Sequence, residues 1–185
     1  MICYQLPGTI LLPDVADRWV IMAIVFVFTF LLPTLGTGVL YWFGHVDSLM
    51  LRERAQRPLP LLLGAFSFGM ASIILHQPAI FDRLLSQVMT GMTLAVFLTF
   101  LFSLRWKISA HGVGVGGALG LLLLFHLTGP SGPTLWGLVL TVLLAGSVLS
   151  ARLALGAHTP GEAWAGLSLG IGLVFGLSVG LWLSN

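Results

Sequence analysis

The chain has 185 residues, of which 57% are hydrophobic and only 8% are charged, and its mean hydropathy is +1.03. Soluble domains carry charged residues at about a quarter of their positions, so this composition excludes a soluble globular domain and predicts an integral membrane protein. The net charge is only +2, and no basic stripe runs along the sequence to follow a phosphate backbone. We therefore expect membrane lipids as partners and no nucleic acid.

Six apolar segments are long enough, or nearly so, to cross a bilayer, which takes about 20 residues. In chain order they are residues 19–43, 59–77, 84–104, 112–128, 134–151 and 161–183. We expect Pro33 to kink the first helix rather than end it, because the apolar run continues to Tyr41. No linker separates the segments, so the sequence predicts an all-α, polytopic membrane protein, a six-transmembrane-helix bundle with residues 1–185 in a single domain.

Glycines recur at four-residue spacing in the fourth and sixth segments. They are Gly112, Gly116 and Gly120, and Gly172, Gly176 and Gly180. Small residues at this spacing let transmembrane backbones approach closely. We expect both triplets to lie at helix contacts.

The polar residues concentrate in alternate connections. If the six segments alternate across the membrane, the connections near residues 44–58, 105–111 and 152–160 share one face. This face gathers six of the eight basic residues, namely Arg52, Arg54, Arg57, Arg105, Lys107 and Arg152. The positive-inside rule alone would account for such a face without any catalytic role. It does not account for His111 and His158 on the same face, with Glu162 four residues after His158.

The order of these residues resembles the type-2 phosphatidic acid phosphatase superfamily of membrane phosphatases. The family signature has three parts, Lys-x6-Arg-Pro, Pro-Ser-Gly-His and Ser-Arg-x5-His-x3-Asp, on alternate loops of a six-helix bundle. The third part corresponds here to SARLALGAHTPGE, in which Arg152, His158 and Glu162 keep the family spacing. The second corresponds to KISAHG, with Ser109 and His111.

The first part corresponds to LRERAQRPLP, which keeps Arg57 followed by proline. The chain departs from the signature at several positions. Met50 stands where the family has lysine, Ala151 replaces serine and Glu162 replaces aspartate, while Ile108 and Ala110 replace the proline and glycine of the second part. Arg52, Arg54 or Lys107 would have to supply the missing cation.

The resemblance implies hydrolysis of a lipid phosphate or polyprenyl pyrophosphate through a phosphohistidine intermediate, without a metal ion or any other cofactor. It implies that His158 is the nucleophile and His111 the acid, with Glu162 as the partner of His158. The phosphate-binding residues would be Arg57, Arg152, Arg54, Lys107 and Ser109. The residue types suit these tasks, because arginine binds phosphate bidentately and, if the helix begins by residue 158, a carboxylate one helical turn away can hold a histidine in one tautomer.

Other interpretations of the same residues remain open. Thr159, Pro160 and Glu162 also form the pattern of a helix start, in which Glu162 would close a capping box and contact no histidine, unless it serves both roles. His111 could be an interfacial histidine at the start of a glycine-rich helix. The departures at Met50, Ala151 and Glu162 favour an alternative. In it the protein is catalytically degenerate and non-enzymatic, and it binds lipid headgroups or acts as a transporter.

Two arguments about sidedness disagree. The positive-inside rule places the basic face in the cytoplasm, whereas the resemblance to bacterial lipid phosphatases implies an active face in the periplasm. Four of the cations are assigned to phosphate binding, and the other four divide evenly between the faces, Arg52 and Arg105 against Arg18 and Arg83. The charge bias therefore does not decide the orientation. On the resemblance alone, we expect a bacterial inner-membrane protein whose site faces outward.

Cysteine labelling tests this topology. In a background where the single native Cys3 is replaced by serine, cysteines at residues 54 and 155 should both react with a membrane-impermeant maleimide on intact cells. Reaction of only one of them would contradict the alternation of six segments. Protection of both until the cells are lysed would place the predicted site in the cytoplasm.

Overall fold

The computed structural model describes residues 15–48, 51, 53–77, 81 and 83–183, and the regular secondary structure in this part of the chain is all helical, with no strand. The helices are α1 (Val15–Phe26), α2 (Leu32–Trp42), α3 (Pro58–Ile74), α4 (Arg83–Ser103), α5 (Ala110–Thr128), α6 (Gly132–Ala154) and α7 (Pro160–Leu183). Since α1 and α2 form one continuous span, six helical segments are long and apolar enough to cross a membrane. The protein is therefore an all-α integral membrane protein, and the predicted segments agree with the helices to within about four residues.

The first span continues past Pro33, as the sequence predicts, and it does so through a π-helical segment, Val27–Leu31. The backbone N–H of Leu32 donates to the carbonyl of Val27, which leaves the Phe28 carbonyl without its usual donor. Pro33 cannot supply one, because it has no N–H. The hydroxyl of Ser67 on α3 donates to the Phe28 carbonyl at 2.5 Å, so a neighbouring helix satisfies the group that the proline leaves unpaired.

The described part of the chain folds into two compact units, an N-terminal unit up to Trp106 and a C-terminal unit from Lys107. In the N-terminal unit α3 packs along α4, and the first span packs against α3. Ala71, Leu75 and Met89 form the buried centre of this unit. Most of the large apolar side chains of the first span are exposed, as expected for a helix covered by lipid. The single domain over residues 1–185 stays a prediction.

In the C-terminal unit the most extensive packing joins α5 to α7. Gly112, Gly116 and Gly120 lie against the backbone of α7, as the sequence predicts. A Cβ atom at Gly112 would lie 2.9 Å from the Ala163 carbonyl oxygen, and one at Gly116 would overlap the Leu167 carbonyl oxygen. Only glycine permits this approach of the two backbones.

The prediction for the sixth segment is wrong. Gly172 and the two glycines that follow it at four-residue spacing have nothing within 4 Å of a Cβ position. The glycines that contact α5 are Gly166 and Gly170. Because each residue turns an α-helix by about 100°, Gly172 lies roughly 200° around α7 from Gly170, on the exposed side. Both faces of α7 carry glycine at the same spacing, so spacing alone does not identify the contact face.

Paired alanine substitutions on α7 test this packing. A Cβ at Gly170 would overlap the Val113 carbonyl oxygen, so Gly170→Ala should destabilise the protein by about 1–3 kcal/mol through overpacking. Gly172→Ala should change stability by at most about 1 kcal/mol, since it meets open space and only alters helix propensity. Thermal unfolding of the detergent-purified variants measures both effects. Equal destabilisation by the two changes would contradict the packing of α5 against this face of α7.

Candidate active site

A tight turn joins the end of α6 to the segment that precedes α7. The N–H of Ala157 donates to the Arg152 carbonyl, and the N–H of Gly156 donates to the Leu153 carbonyl. Gly156 has a φ of +59°, so the two bonds form a Schellman motif around a glycine in the left-handed region. The chain reverses within a few residues, and Arg152 in the last turn of α6 is followed closely by His158.

The start of α7 is a capping box. Glu162 donates its backbone N–H to the Thr159 hydroxyl at 3.4 Å, and its carboxylate atom Oε2 accepts the Thr159 backbone N–H at 3.1 Å. Pro160 occupies the first helical position, where its missing N–H has no cost. The capping-box part of the helix-start interpretation is therefore confirmed.

The same carboxylate oxygen also binds the histidine. Oε2 of Glu162 lies 3.0 Å from Nδ1 of His158, whose side chain is only 2% exposed. An ionised carboxylate accepts hydrogen bonds and does not donate them, so Nδ1 carries the proton in this pair. In a neutral imidazole the lone pair then resides on Nε2. The cap and the histidine contact are thus not alternatives, since one oxygen atom serves both.

Hydrogen bonds of Ser109 link the start of α5 to the start of α7. Its buried hydroxyl accepts the Gly112 backbone N–H at 3.2 Å and caps α5. Its own backbone N–H donates to the Glu162 carbonyl at 3.2 Å. Gly166 makes this possible, because a Cβ there would overlap the Ser109 carbonyl oxygen. The structure therefore gives Ser109 a structural task, and its contact with phosphate stays a prediction.

Arg152 and His111 meet although they are 41 residues apart in sequence. Nη2 of Arg152 lies 2.5 Å from Nε2 of His111. A guanidinium can only donate, so His111 accepts this bond at Nε2. The histidine is exposed and the arginine is half-buried, so both groups lie at the surface of this end of the unit. The first turn of α5 and the last turn of α6 thereby meet close to the start of α7.

Five of the predicted site residues are linked in this way within the C-terminal unit. They are Ser109, His111, Arg152, His158 and Glu162. Sequence reasoning missed the contribution of Gly166. Gly166 could have been identified from the sequence, because it lies four residues before Gly170 and on the same helical face as Glu162.

The other predicted phosphate ligands are placed differently. Arg54 and Arg57 belong to the N-terminal unit, where Nη1 of Arg54 donates to the Leu104 carbonyl at 2.8 Å and Nε of Arg57 to the Leu51 carbonyl at 2.9 Å. Arg57 is buried and Arg54 is exposed. Lys107 is half-buried at the beginning of the C-terminal unit. Phosphate binding by these three residues stays a prediction, and Met50 and Arg52 lie outside the described residues.

Within the described ranges, no three His, Cys, Asp or Glu side chains are grouped so that they could hold a metal ion. Independence from metal ions stays a prediction about the reaction. Comparison of the chain with protein-family models, curated proteins and solved structures finds no match. Any functional assignment therefore depends on the motif residues and their geometry.

Two substitutions separate the cap from the histidine contact. Thr159→Ala removes only the hydroxyl of the cap and should lower stability by about 0.5–2 kcal/mol, leaving the proton of His158 on Nδ1. Glu162→Gln should shift that proton towards Nε2, because the amide group can donate to Nδ1. The ¹⁵N chemical shifts of the His158 ring report the tautomer, and thermal unfolding reports the cap. The amide oxygen of Gln can still accept from Nδ1, so the contact is contradicted if the tautomer is unchanged both in Glu162→Gln and in Glu162→Ala, which has no acceptor.

Proposed function

We propose that this protein is an integral membrane phosphatase that hydrolyses a lipid phosphate or polyprenyl pyrophosphate through a phosphohistidine intermediate, without a metal ion. The observation that supports it best is the buried His158, backed by the Glu162 carboxylate at the N-terminus of α7. The positive end of the helix dipole favours an anion at that position. The pair of Arg152 and His111 at the same end of the unit adds a phosphate ligand and an acid.

In the first step the lone pair on Nε2 of His158 attacks the phosphorus atom. An N–P bond forms while the bond from phosphorus to the leaving oxygen breaks, and the electron pair goes to that oxygen. His111 donates a proton to the leaving group, which is the lipid alcohol or, for a pyrophosphate, the lipid monophosphate. Glu162 stabilises the positive charge that develops on the ring of His158.

In the second step water attacks the phosphohistidine. His111, now neutral, takes a proton from the water, whose oxygen bonds to phosphorus. The N–P bond breaks, its electron pair returns to Nε2 of His158, and inorganic phosphate leaves. Both histidines regain their starting protonation states, so the cycle closes without a further reactant.

The contact of Arg152 with His111 adds a condition to this mechanism. Nε2 of His111 cannot accept a bond from Arg152 while it carries the proton that it must donate. Phosphate oxygens are stronger acceptors for a guanidinium than a neutral ring nitrogen. In the proposed cycle, phosphate binding draws the donors of Arg152 away and leaves Nε2 of His111 able to take up a proton.

A lipid substrate suits a site at helix ends, because its headgroup can meet the polar residues while its chains stay in hydrocarbon. The order of the signature residues is the basis for keeping Arg57, and Arg54 or Lys107, as further phosphate ligands. The same resemblance is the basis for placing the protein in a bacterial inner membrane with the site facing the periplasm.

Phosphate release from a panel of lipid phosphates by the detergent-purified protein tests the proposal. His158→Ala should abolish turnover, and Glu162→Gln should reduce it by orders of magnitude, roughly 10⁴-fold as in comparable carboxylate–histidine pairs. The matched control is His126→Ala, which removes a histidine of α5 that pairs with Thr134 instead. Activity should show a bell-shaped dependence on pH, because one histidine must be neutral and the other protonated.

Chelator should leave the rate unchanged, and vanadate should inhibit as a mimic of the transferred group. Full activity in His158→Ala would exclude the covalent route. Absence of phosphate release from every lipid phosphate, with the wild-type fold intact, would favour the non-enzymatic alternative.

A further inference from the structure

The turn between α6 and α7 is apolar, although it lies at the end of the C-terminal unit that holds the candidate site. Between Arg152 and Glu162 the chain contains no Asp, Glu, Lys or Arg. Leu155 in the turn is 65% exposed, and Trp164 in the second turn of α7 is 60% exposed. The other connection of this unit, residues 129–133, consists of glycine, proline and serine. The two connections therefore present different surfaces.

The lengths of the helices place this turn among the lipid headgroups. Trp136 is exposed near the start of α6, and tryptophan is enriched at membrane–water interfaces. Leu155 follows it by 19 residues, about 28 Å at 1.5 Å per residue, which is close to the roughly 30 Å of the hydrocarbon core. Trp164 lies about 6 Å along α7 from Pro160, and the headgroup region on each side of the core is about 5–8 Å thick.

The lipid-facing surface of α6 continues into the turn. Leu140 and Leu144 are exposed in the middle of this membrane-spanning helix. Leu155 keeps helical backbone angles, so at about 100° per residue it lies roughly 60° around the helix from Leu140. The three leucines therefore share one side of α6, and the surface that lipid covers along the span extends to the turn.

The backbone of the turn suits a layer in which water is scarce. The N–H groups of Leu155, Gly156 and Ala157 all donate to carbonyls of α6. The N–H of Thr159 donates to the Glu162 carboxylate. Since N–H groups that leave water without a partner are costly, these bonds lower the cost of placing the turn in the headgroup region.

The exposed surface is too small for a stable contact with a second protein. A tryptophan buries about 150–250 Å², and the exposed Leu153 and Leu155 are smaller side chains. Together they fall short of the roughly 800 Å² that each partner contributes to a stable interface. Lipid, which already covers the adjoining face of α6, is the occupant that fits.

We propose that Leu153, Leu155 and Trp164, here called the apolar rim, lie among lipid headgroups and contact the carbon chain of the lipid phosphate substrate. In this last respect the inference rests on the proposed function. The Cα atom of Leu155 is at most about 11 Å from that of His158, at 3.8 Å per residue. A phosphate at the buried His158 thus has apolar side chains close by in the same unit. The rim carries no charge, so it selects for the chain and not for the charge of the headgroup.

A fluorophore on the turn tests its depth without requiring turnover. In the Cys3→Ser background, a nitrobenzoxadiazole dye is attached to Leu155→Cys or, as the matched control, to Pro130→Cys in the other connection, which is also exposed. The full-length protein is placed in phosphatidylcholine vesicles. Emission from position 155 should be blue-shifted and quenched several-fold more strongly by phosphatidylcholine that carries a nitroxide near the start of its acyl chain. Equal emission and quenching at the two positions would overturn the proposal.

A pair of alkyl phosphates tests the contact with the chain. Leu155→Asn should lower kcat/KM for dodecyl phosphate several-fold more than for butyl phosphate, and Trp164→Ala should change the ratio in the same direction. The matched control is Leu127→Asn, which alters a leucine of similar exposure, 62%, at the opposite end of the unit and should leave the ratio unchanged. Thermal unfolding checks that the variants are folded. Equal ratios in Leu155→Asn, Trp164→Ala and the wild type would overturn the contact.

The outcomes separate the rim from the activity. Strong quenching at position 155 in a protein that releases no phosphate would refute the phosphatase and keep the contact of the rim with lipid. Phosphate release combined with equal quenching at positions 155 and 130 would overturn the rim and keep the phosphatase.

Discussion

The close approach of α5 and α7 is the constraint on which the candidate site depends. Without side chains at Gly112, Gly116, Gly166 and Gly170, the two backbones come near enough for Ser109 to donate its N–H to the Glu162 carbonyl. That bond fixes the first turns of the two helices against each other. In hydrocarbon no hydrophobic effect holds helices together, so contact of this kind depends on such backbone packing. The positions of His111 and of the pair formed by His158 and Glu162 follow from it.

The Glu162 carboxylate shows how one group can have a structural and a chemical role together. Oε2 closes the capping box through the Thr159 N–H and also holds Nδ1 of His158. Glutamate at the third helical position is the residue that reaches back to the N-cap in this motif. Glutamate at this position is therefore compatible with a histidine partner, since the contact is made. The histidine is oriented by the group that also fixes the helix start.

In each of the two units, charged groups lie at the helix ends and apolar surface lies along the middle of the helices. In the C-terminal unit titratable groups meet at helix ends, where Arg152 pairs with His111 and the Glu162 carboxylate pairs with His158 and the Thr159 backbone N–H. In the N-terminal unit the middle of α3 presents a groove without polar surface, and the arginines lie before the helix begins. This arrangement agrees with the cost of placing charge at the centre of a bilayer.

The sequence alone determined the six helices, because bilayer thickness demands about 20 apolar residues and few other structures produce such runs. It also determined the start of α7, since the capping residues are local. His158 precedes the helix, so its contact with Glu162 follows from the backbone of the cap and not from a shared helical face. The contact between Arg152 and His111 spans 41 residues, and no local pattern encodes it. The tertiary structure likewise decided which glycine face of α7 meets α5, because both faces carry the same spacing and only packing against a second helix distinguishes them.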